Sequence, residues 1–402
     1  MWEGQDEQQS SVSLMQHRKH ARMEEKTMKR RSLEPTEAVR WSRGDFLRRA
    51  GAVLTLPVVS GSLAACGPFG GGAQEGAGEE GAAGKGNKTL GFAMINLTLP
   101  FFVRMQEAGG EAANDYGVKT VWQSADGNIE NELSIVERYV QQNQDVILID
   151  PLDAEAVEPA VKEAEQANIP VVTMGNKVEA GWNYNTLYPD YENMSTVARA
   201  LAVAMGEKGQ VALLVGARGN YVSDTREAGF KETIQQEFPD IELVSVQPTD
   251  FDTAQAQSAT ETWLTTYPNL GGIASISDPL VLAAMNAAEN AGRDDILYAG
   301  HDGDREMHPM LKDGTMIIDV LTGAERVGYW NVAVGARVAK GEKFDKELFM
   351  PTYFVMADDT ASNLAEKGFE VDYITPEEAI QKGQAYAEEF GPDKPAGAMT
   401  VR

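Results

Sequence analysis

From Thr89 onward the chain alternates short apolar runs with longer amphipathic segments, and this alternation restricts the fold more than any other feature. The runs at 90–95, 118–122, 146–149 and 171–174 read as buried strands. Between two of them, Ile129, Leu133, Val136 and Val140 recur at helical spacing and share one face. Strand, helix, strand, helix in succession predicts a parallel sheet with helices on both sides. A second series follows at 211–215, 243–246, 272–276 and 297–299, separated by helices that include the stripe Phe230, Ile234 and Phe238. The next strand runs through 316–321. A helix carrying Val327, Val334 and Val338 comes after it, and there the chain is expected to return to the first domain. Another strand is expected at 353–356, and the tail from Pro376 holds a polar helix to which the sequence assigns no partner.

The region from about residue 88 to the end holds roughly 300 residues, more than one compact core usually contains and enough for two domains of about 150. Open parallel sheets bind ligands beyond the carboxyl ends of their strands. Two such sheets facing each other make a cleft with a hinge.

Ahead of this region stands Cys66, the only cysteine of the chain. Arg43, Arg48 and Arg49 precede an apolar run at 50–63, shorter than the about 20 apolar residues a spanning helix needs. Leu63-Ala64-Ala65-Cys66 closes it. This arrangement resembles a bacterial lipoprotein signal peptide. The resemblance implies that residues 1–65 are a signal peptide with an N-terminal extension, that Cys66 carries lipid, and that the body is tethered to the membrane on its extracytoplasmic side. Ser42-Arg43-Gly44-Asp45-Phe46-Leu47 resembles a twin-arginine export signal with Gly44 in place of the second arginine, so folded and unfolded export both stay open. Residues 66–87, rich in Gly, Ala and Glu, are expected to form a flexible linker.

Acidic residues number 61 against 35 basic ones, a formal charge of −26. Nucleic acid and anionic lipid bind through clustered Lys and Arg, so such a body excludes both as charge partners. Beyond Cys66 there is no thiol for a disulfide or zinc cluster, and only His301 and His308 follow it among histidines, which argues against a transition-metal site. No phosphate loop of the G-x-x-x-x-G-K-[ST] type is present, nor G-x-G-x-x-G after the first strand, so no nucleotide cofactor is expected.

Leu99-Pro100-Phe101-Phe102 after the first strand resembles the type I periplasmic sugar-binding proteins, the ribose-binding cluster in particular. Further blocks follow in the same order: Asp150-Pro151, Asn168-Ile169-Pro170, Arg226-Glu227-Ala228-Gly229-Phe230, Asp250-Phe251-Asp252 and Gly300-His301-Asp302-Gly303. The resemblance implies two Rossmann-like parallel-sheet lobes joined by a hinge of three crossovers. The first lobe would comprise 88–189 and 323–350, the second 190–322 and 351–376, leaving 377–402 as a tail. It also implies a ligand site. Phe101 and Phe102 would flank the apolar faces of a sugar ring, with Phe251 as a further wall. Arg226 would present its fork of donors to hydroxyls, and Asp302 would accept from paired hydroxyls. Asn176, Asp278 and Thr322 complete the expected polar contacts. In place of the usual Asn, Asp and Arg, this chain has Leu99, Gly175 and Asn176. The changes remove charge-assisted hydrogen bonds worth roughly 1.5–3 kcal/mol each. A sugar of other stereochemistry or a polyol fits as well as ribose.

The resulting expectation is a monomeric, lipid-anchored solute receptor that delivers a sugar or polyol to an ABC permease, without catalysis. A sensory subunit using the same closed form is one alternative. A cleft glycosidase employing Asp278 and Asp302 is another.

Overall fold

A computed structural model describes residues 87–401. Cys66, the export signal and nearly all of the linker lie outside the described residues.

The first lobe opens with β1 (Thr89–Met94), α1 (Pro100–Tyr116), β2 (Lys119–Ser124), α2 (Ile129–Gln141), β3 (Val146–Ile149), α3 (Ala154–Gln166), β4 (Val171–Met174) and β5 (Tyr184–Leu187). The chain then crosses into α4 (Asp190–Ala204), β6 (Gly209–Val215), α5 (Tyr221–Glu237), β7 (Ile241–Pro248), α6 (Thr253–Thr266), β8 (Leu270–Ser275), α7 (Asp278–Asn290), β9 (Leu297–Ala299), α8 (His308–Asp313) and β10 (Met316–Leu321). It returns through α9 (Ala324–Ala339) and β11 (Glu347–Phe349). It then crosses a third time into β12 (Tyr353–Val355), α10 (Asp358–Glu366), β13 (Tyr373–Ile374), α11 (Pro376–Gln384) and α12 (Tyr386–Phe390).

One sheet has the order β11-β5-β4-β3-β1-β2, the other β13-β12-β10-β9-β8-β6-β7. Among the described strands, β10 and β12 are the one antiparallel pair, and Phe349 of β11 makes an isolated antiparallel bridge to Val401. In the first sheet, period-two alternation divides the strands between two helical layers. Leu90, Phe92, Val146 and Leu148 pack under α1 and α9, while Ala93, Ile147 and Ile149 pack under α2 and α3. The second sheet divides in the same way: Val211, Leu213 and Val215 meet α4 and α5, and Ala212 and Leu214 meet α6 and α7. Both faces being covered is why these strands read as continuous apolar runs.

Helices start where a short polar side chain caps them. Asn128, Asp153, Asn220 and Asp252 each accept backbone N–H bonds from the first turn of α2, α3, α5 and α6. These caps follow β2, β3, β6 and β7, so each helix turns back from the carboxyl end of its strand.

The tail, whose partner the sequence left unassigned, joins both lobes: Ala379 of α11 is buried in the second lobe's core with Leu311 of α8, and the residues beyond α11 are built into the first lobe. Phe390 and Met399 are fully buried in its core. Trp330 Nε1 donates to the Met399 carbonyl at 2.7 Å, and Tyr116 Oη to the Phe390 carbonyl at 2.6 Å. Arg326 is buried where the crossings meet the tail. Its guanidinium donates to the carbonyls of Leu321, Thr322 and Pro351 and to Glu389 at 2.9 Å.

Helices α1 and α9 touch backbone to backbone, for a Cβ on Gly328 would run into the Met105 carbonyl. Gly328→Ala is expected to destabilise the protein by about 1–3 kcal/mol in denaturant unfolding. On α1, a Cβ at Gly110 meets nothing. Gly110→Ala is expected to stabilise by about 0.5–1 kcal/mol in the same measurement.

Candidate functional site

A polar centre forms where the carboxyl ends of β6, β8 and β9 approach the first crossing. Arg226, in the second turn of α5, is buried there. Its Nε donates to Asp190 Oδ1 at 2.7 Å, and Nη1 to the Ile276 carbonyl at 2.7 Å and Asp302 Oδ1 at 3.1 Å. Those bonds leave Nη2 unspent. Asp302 Oδ2 accepts from Ser277 Oγ at 3.0 Å and from the Asp278 N–H at 3.4 Å. The Asp302 backbone is fixed at the second crossing, its carbonyl receiving the N–H groups of Thr322 and Gly323 and the Thr322 hydroxyl. Its φ of 132° lies where L-residues are rarely found.

Burial works against the charge on Asp302, but His301, Arg226 and Ser277 outweigh it and hold its carboxyl below the usual range. Asp190 is pushed up by burial, to about 6, against the pull of Arg226. His301 is fully buried, and burial together with Arg226 lowers its pKa to about 4, so the ring is neutral. Its Nε2 lies 3.4 Å from Asn193 Nδ2 and its Nδ1 3.5 Å from Asp302 Oδ1.

Under this centre lie two more carboxyl groups, Asp278 and Asp319, both fully buried. Asp278 Oδ2 accepts the Asp304 N–H at 2.7 Å, and Asp319 Oδ1 the Val320 N–H at 2.6 Å. Asp278 Oδ1 and Asp319 Oδ2 have no other donor among the described residues. Burial, then mutual repulsion among Asp319, Asp304 and Asp302, raises Asp278 well above the ordinary range, and burial raises Asp319 to about 7.

From the first lobe, Asn176 follows β4 and is buried. It donates to the Pro151 carbonyl at 3.1 Å, and its Oδ1 accepts the Val222 N–H of α5 at 3.4 Å, so one side chain links the lobes. Asp150, at the end of β3, is raised to about 7 by burial, against the lowering effect of the Asn176 amide. The Tyr188 phenol, also raised by burial, feels Asp190, Asp150, Arg226 and Asp302 together, which places it between the lobes. Phe101 and Phe102 occupy the first turn of α1, half-buried, with ring centroids 5.5 Å apart and edge to face.

The structure therefore brings Arg226, the Ser277 hydroxyl and the Asp278 N–H to the Asp302 carboxylate, with Thr322 on the Asp302 backbone carbonyl. Asn176 of the opposite lobe meets the first turn of α5, the helix that carries Arg226. Asp278 is fully buried and accepts from the Asp304 N–H, and the Thr322 hydroxyl is spent on the Asp302 backbone. Phe251 sits on the rim, 39 % exposed, in a left-handed conformation shared with Asp250. The para edge of its ring comes against Gly216, leaving no room there for a Cβ. Sequence reasoning missed Asp190 and Asp319 and did not place His301 in the centre. The signal for Asp190 was its position just after β5, where a crossing chain enters a helix. Among the described residues no group of His, Cys, Asp and Glu is arranged to hold a metal ion.

Two parallel-sheet lobes, three crossings and a polar centre between strand ends define a hinged two-lobe ligand-binding protein. The chain belongs to the periplasmic binding protein domain family, whose model matches residues 90–343. It is 28% identical over 256 residues to the ribose import binding protein RbsB of Salmonella typhimurium, covering 63% of this chain and 86% of that protein. It is 24% identical over 307 residues to the xylitol-binding protein of Mycolicibacterium smegmatis, covering 75% and 84%. Among solved structures, an ABC transporter solute binding protein from Bacillus halodurans with bound myo-inositol superposes with a TM-score of 0.65. It is 21% identical and covers 75% of this chain and 99% of that one. The relatives are binding proteins, and this chain is a binding protein rather than an enzyme.

Because the folded pKa of Asp319 stands near 7 against 3.8 for an ordinary aspartate, the native state holds a proton that the unfolded chain releases. Its stabilisation is complete below the lower value and lost as pH rises through the upper one. Melting temperatures of wild type and Asp319→Asn, measured from pH 4 to 8, check this. The variant is expected to gain on the wild type as pH climbs across that window.

Proposed function

We propose that the protein is an extracytoplasmic receptor that binds a monosaccharide or related polyol between its lobes and hands it to an ABC permease. The observation that carries this reading is the Arg226–Asp302 pair at the strand ends of one lobe, with Asn176, Phe101 and Phe102 at the strand ends of the other. The unspent Nη2 of Arg226 donates to hydroxyls, the Asp302 and Asp150 carboxyls accept from them, and the aromatic rings cover the apolar face of a sugar ring. Thr322 and Asp278 support this set from beneath, and Phe251 closes it from the rim. In support, relatives are named for ribose, xylitol and D-apiose, and solved neighbours hold D-allose or myo-inositol.

Ligand that touches both lobes favours the closed form by its differential affinity, and the closed form is what a permease recognises. We assign 88–189 with 323–350 to the first lobe and 190–322 with 351–376 to the second. The export signal and Cys66 support a lipid anchor. No helix among the described residues is long and apolar enough to cross a membrane. One body with a single cleft suits a monomer.

A thermal-shift panel of pentoses, hexoses, deoxysugars and polyols tests the reading, since a ligand that binds only the folded state raises its melting temperature. One stereochemical group is expected to shift it; a flat panel for ligand-free protein would refute the sugar reading. Asp302→Asn, which keeps shape and loses charge, is expected to weaken the best ligand by at least about tenfold in calorimetry. Arg226→Ala is the poorer probe, because it leaves two buried carboxylates unpaired and destabilises the fold itself by about 3–5 kcal/mol.

The anchor has its own test. Cys66→Ser is expected to move the protein from the membrane fraction to the soluble fraction and to abolish incorporation of labelled fatty acid.

A further inference from the structure

A second contact joins the lobes away from the polar centre. Arg104 lies on α1, one turn beyond Phe101 and Phe102, and its Nη2 pairs with Asp304 Oδ1 from the segment after β9. Both side chains are largely withdrawn from water, 20% and 15% exposed. The other acids near Arg104 stand farther off, Glu325 at 3.9 Å and Glu306 at 4.0 Å. Asp304 is itself held in place: its N–H donates to Asp278 Oδ2 at 2.7 Å and its carbonyl accepts the Met307 N–H at 2.9 Å. Asp278 thus fixes one end of an ion pair whose other end rides on the opposite sheet.

We propose that Arg104 and Asp304 form an interlobe clamp that sets the affinity of the cleft through the closed form, as positioning residues; this rests on the receptor reading above. Arg104 and Asp304 belong to different lobes, whose chain connections are the crossings, so opening the cleft parts them and returns both charges to water. Removing Arg104 leaves the Asp304 carboxylate largely buried without its cation, and removing Asp304 leaves Arg104 only the more distant Glu325 and Glu306, so in the closed form the penalty falls on closure. Removing both partners relieves that penalty in part. The pair is also less screened by salt than an exposed one would be.

The test places spin labels at Glu130→Cys and Ala254→Cys, exposed positions on opposite lobes, in a Cys66→Ser background, which removes the only native cysteine. Interlobe distances are measured for wild type, Arg104→Met, Asp304→Asn and the double variant, without ligand and with D-ribose, xylitol, D-allose or myo-inositol at saturation. Circular dichroism confirms that each variant is folded. Each single variant is expected to shift the unliganded distribution toward longer distances. For any probe that binds, each is expected to raise Kd by at least about tenfold, chiefly through faster dissociation. The double variant is expected to lose less than the product of the single losses, and Glu306→Gln, altering an exposed neighbour, to change neither readout. Identical distance distributions in wild type and both single variants would overturn the clamp, as would unchanged Kd or strictly multiplicative losses. If no probe binds, the sugar reading fails while the unliganded distances still decide the clamp.

Discussion

A guanidinium withdrawn from water must be met by countercharge and acceptors, or its desolvation outweighs anything the fold gains. Arg226 meets this demand with a carboxylate from the start of α4, a carbonyl from the end of β8 and a carboxylate from the end of β9. Three segments far apart in sequence are thereby held at one point. The neutral state of His301 follows from the same charge, since a second cation beside Arg226 in a dry site is disfavoured. The raised pKa of Asp278 follows from a related rule: burial, and then repulsion from Asp319 and its neighbours, disfavours its charged form.

Arg326 plays the corresponding part at the hinge. Its donors take the carbonyls of two crossing segments, while Glu389 supplies the countercharge from the tail. Tyr353 donates to that same Glu389 and lies under the guanidinium at 4.9 Å. The site and the hinge are therefore built alike, around a buried arginine whose partners come from separate parts of the chain.

This explains what could be read from the sequence. Strands buried on both faces declare themselves as apolar runs, and 90–95, 146–149, 171–174 and 211–215 all correspond to observed strands. β5 does not declare itself, because Asn185 and Thr186 are buried there through hydrogen bonds: Asn185 Oδ1 takes the Thr173 hydroxyl at 2.6 Å and the Val178 N–H at 2.9 Å. Polar residues satisfied by partners look like loop residues in one dimension. β11 and β13 are two or three residues long and sit at sheet edges, too short to show a period. At the site, Arg226 and Asp302 were legible as residues beside strand ends within recognisable blocks. Asp190 and Asp319 were not, because what marks them is the company they keep after folding. Phe251 was legible as an aromatic near the cleft, but its placement over Gly216 depends on two successive left-handed residues that no periodicity reports.

The burial of Phe390 and Met399 in the core begun by β1 bears on the order in which the chain can fold. The first sheet cannot close its hydrophobic layer until nearly 300 residues later the tail arrives, whereas the second sheet has most of its strands in one continuous stretch from β6 to β10. Contacts of such long sequence separation form slowly. During synthesis the middle of the protein can therefore assemble while its beginning still waits for its end. The first lobe, although it is begun first, is thus the last to become whole.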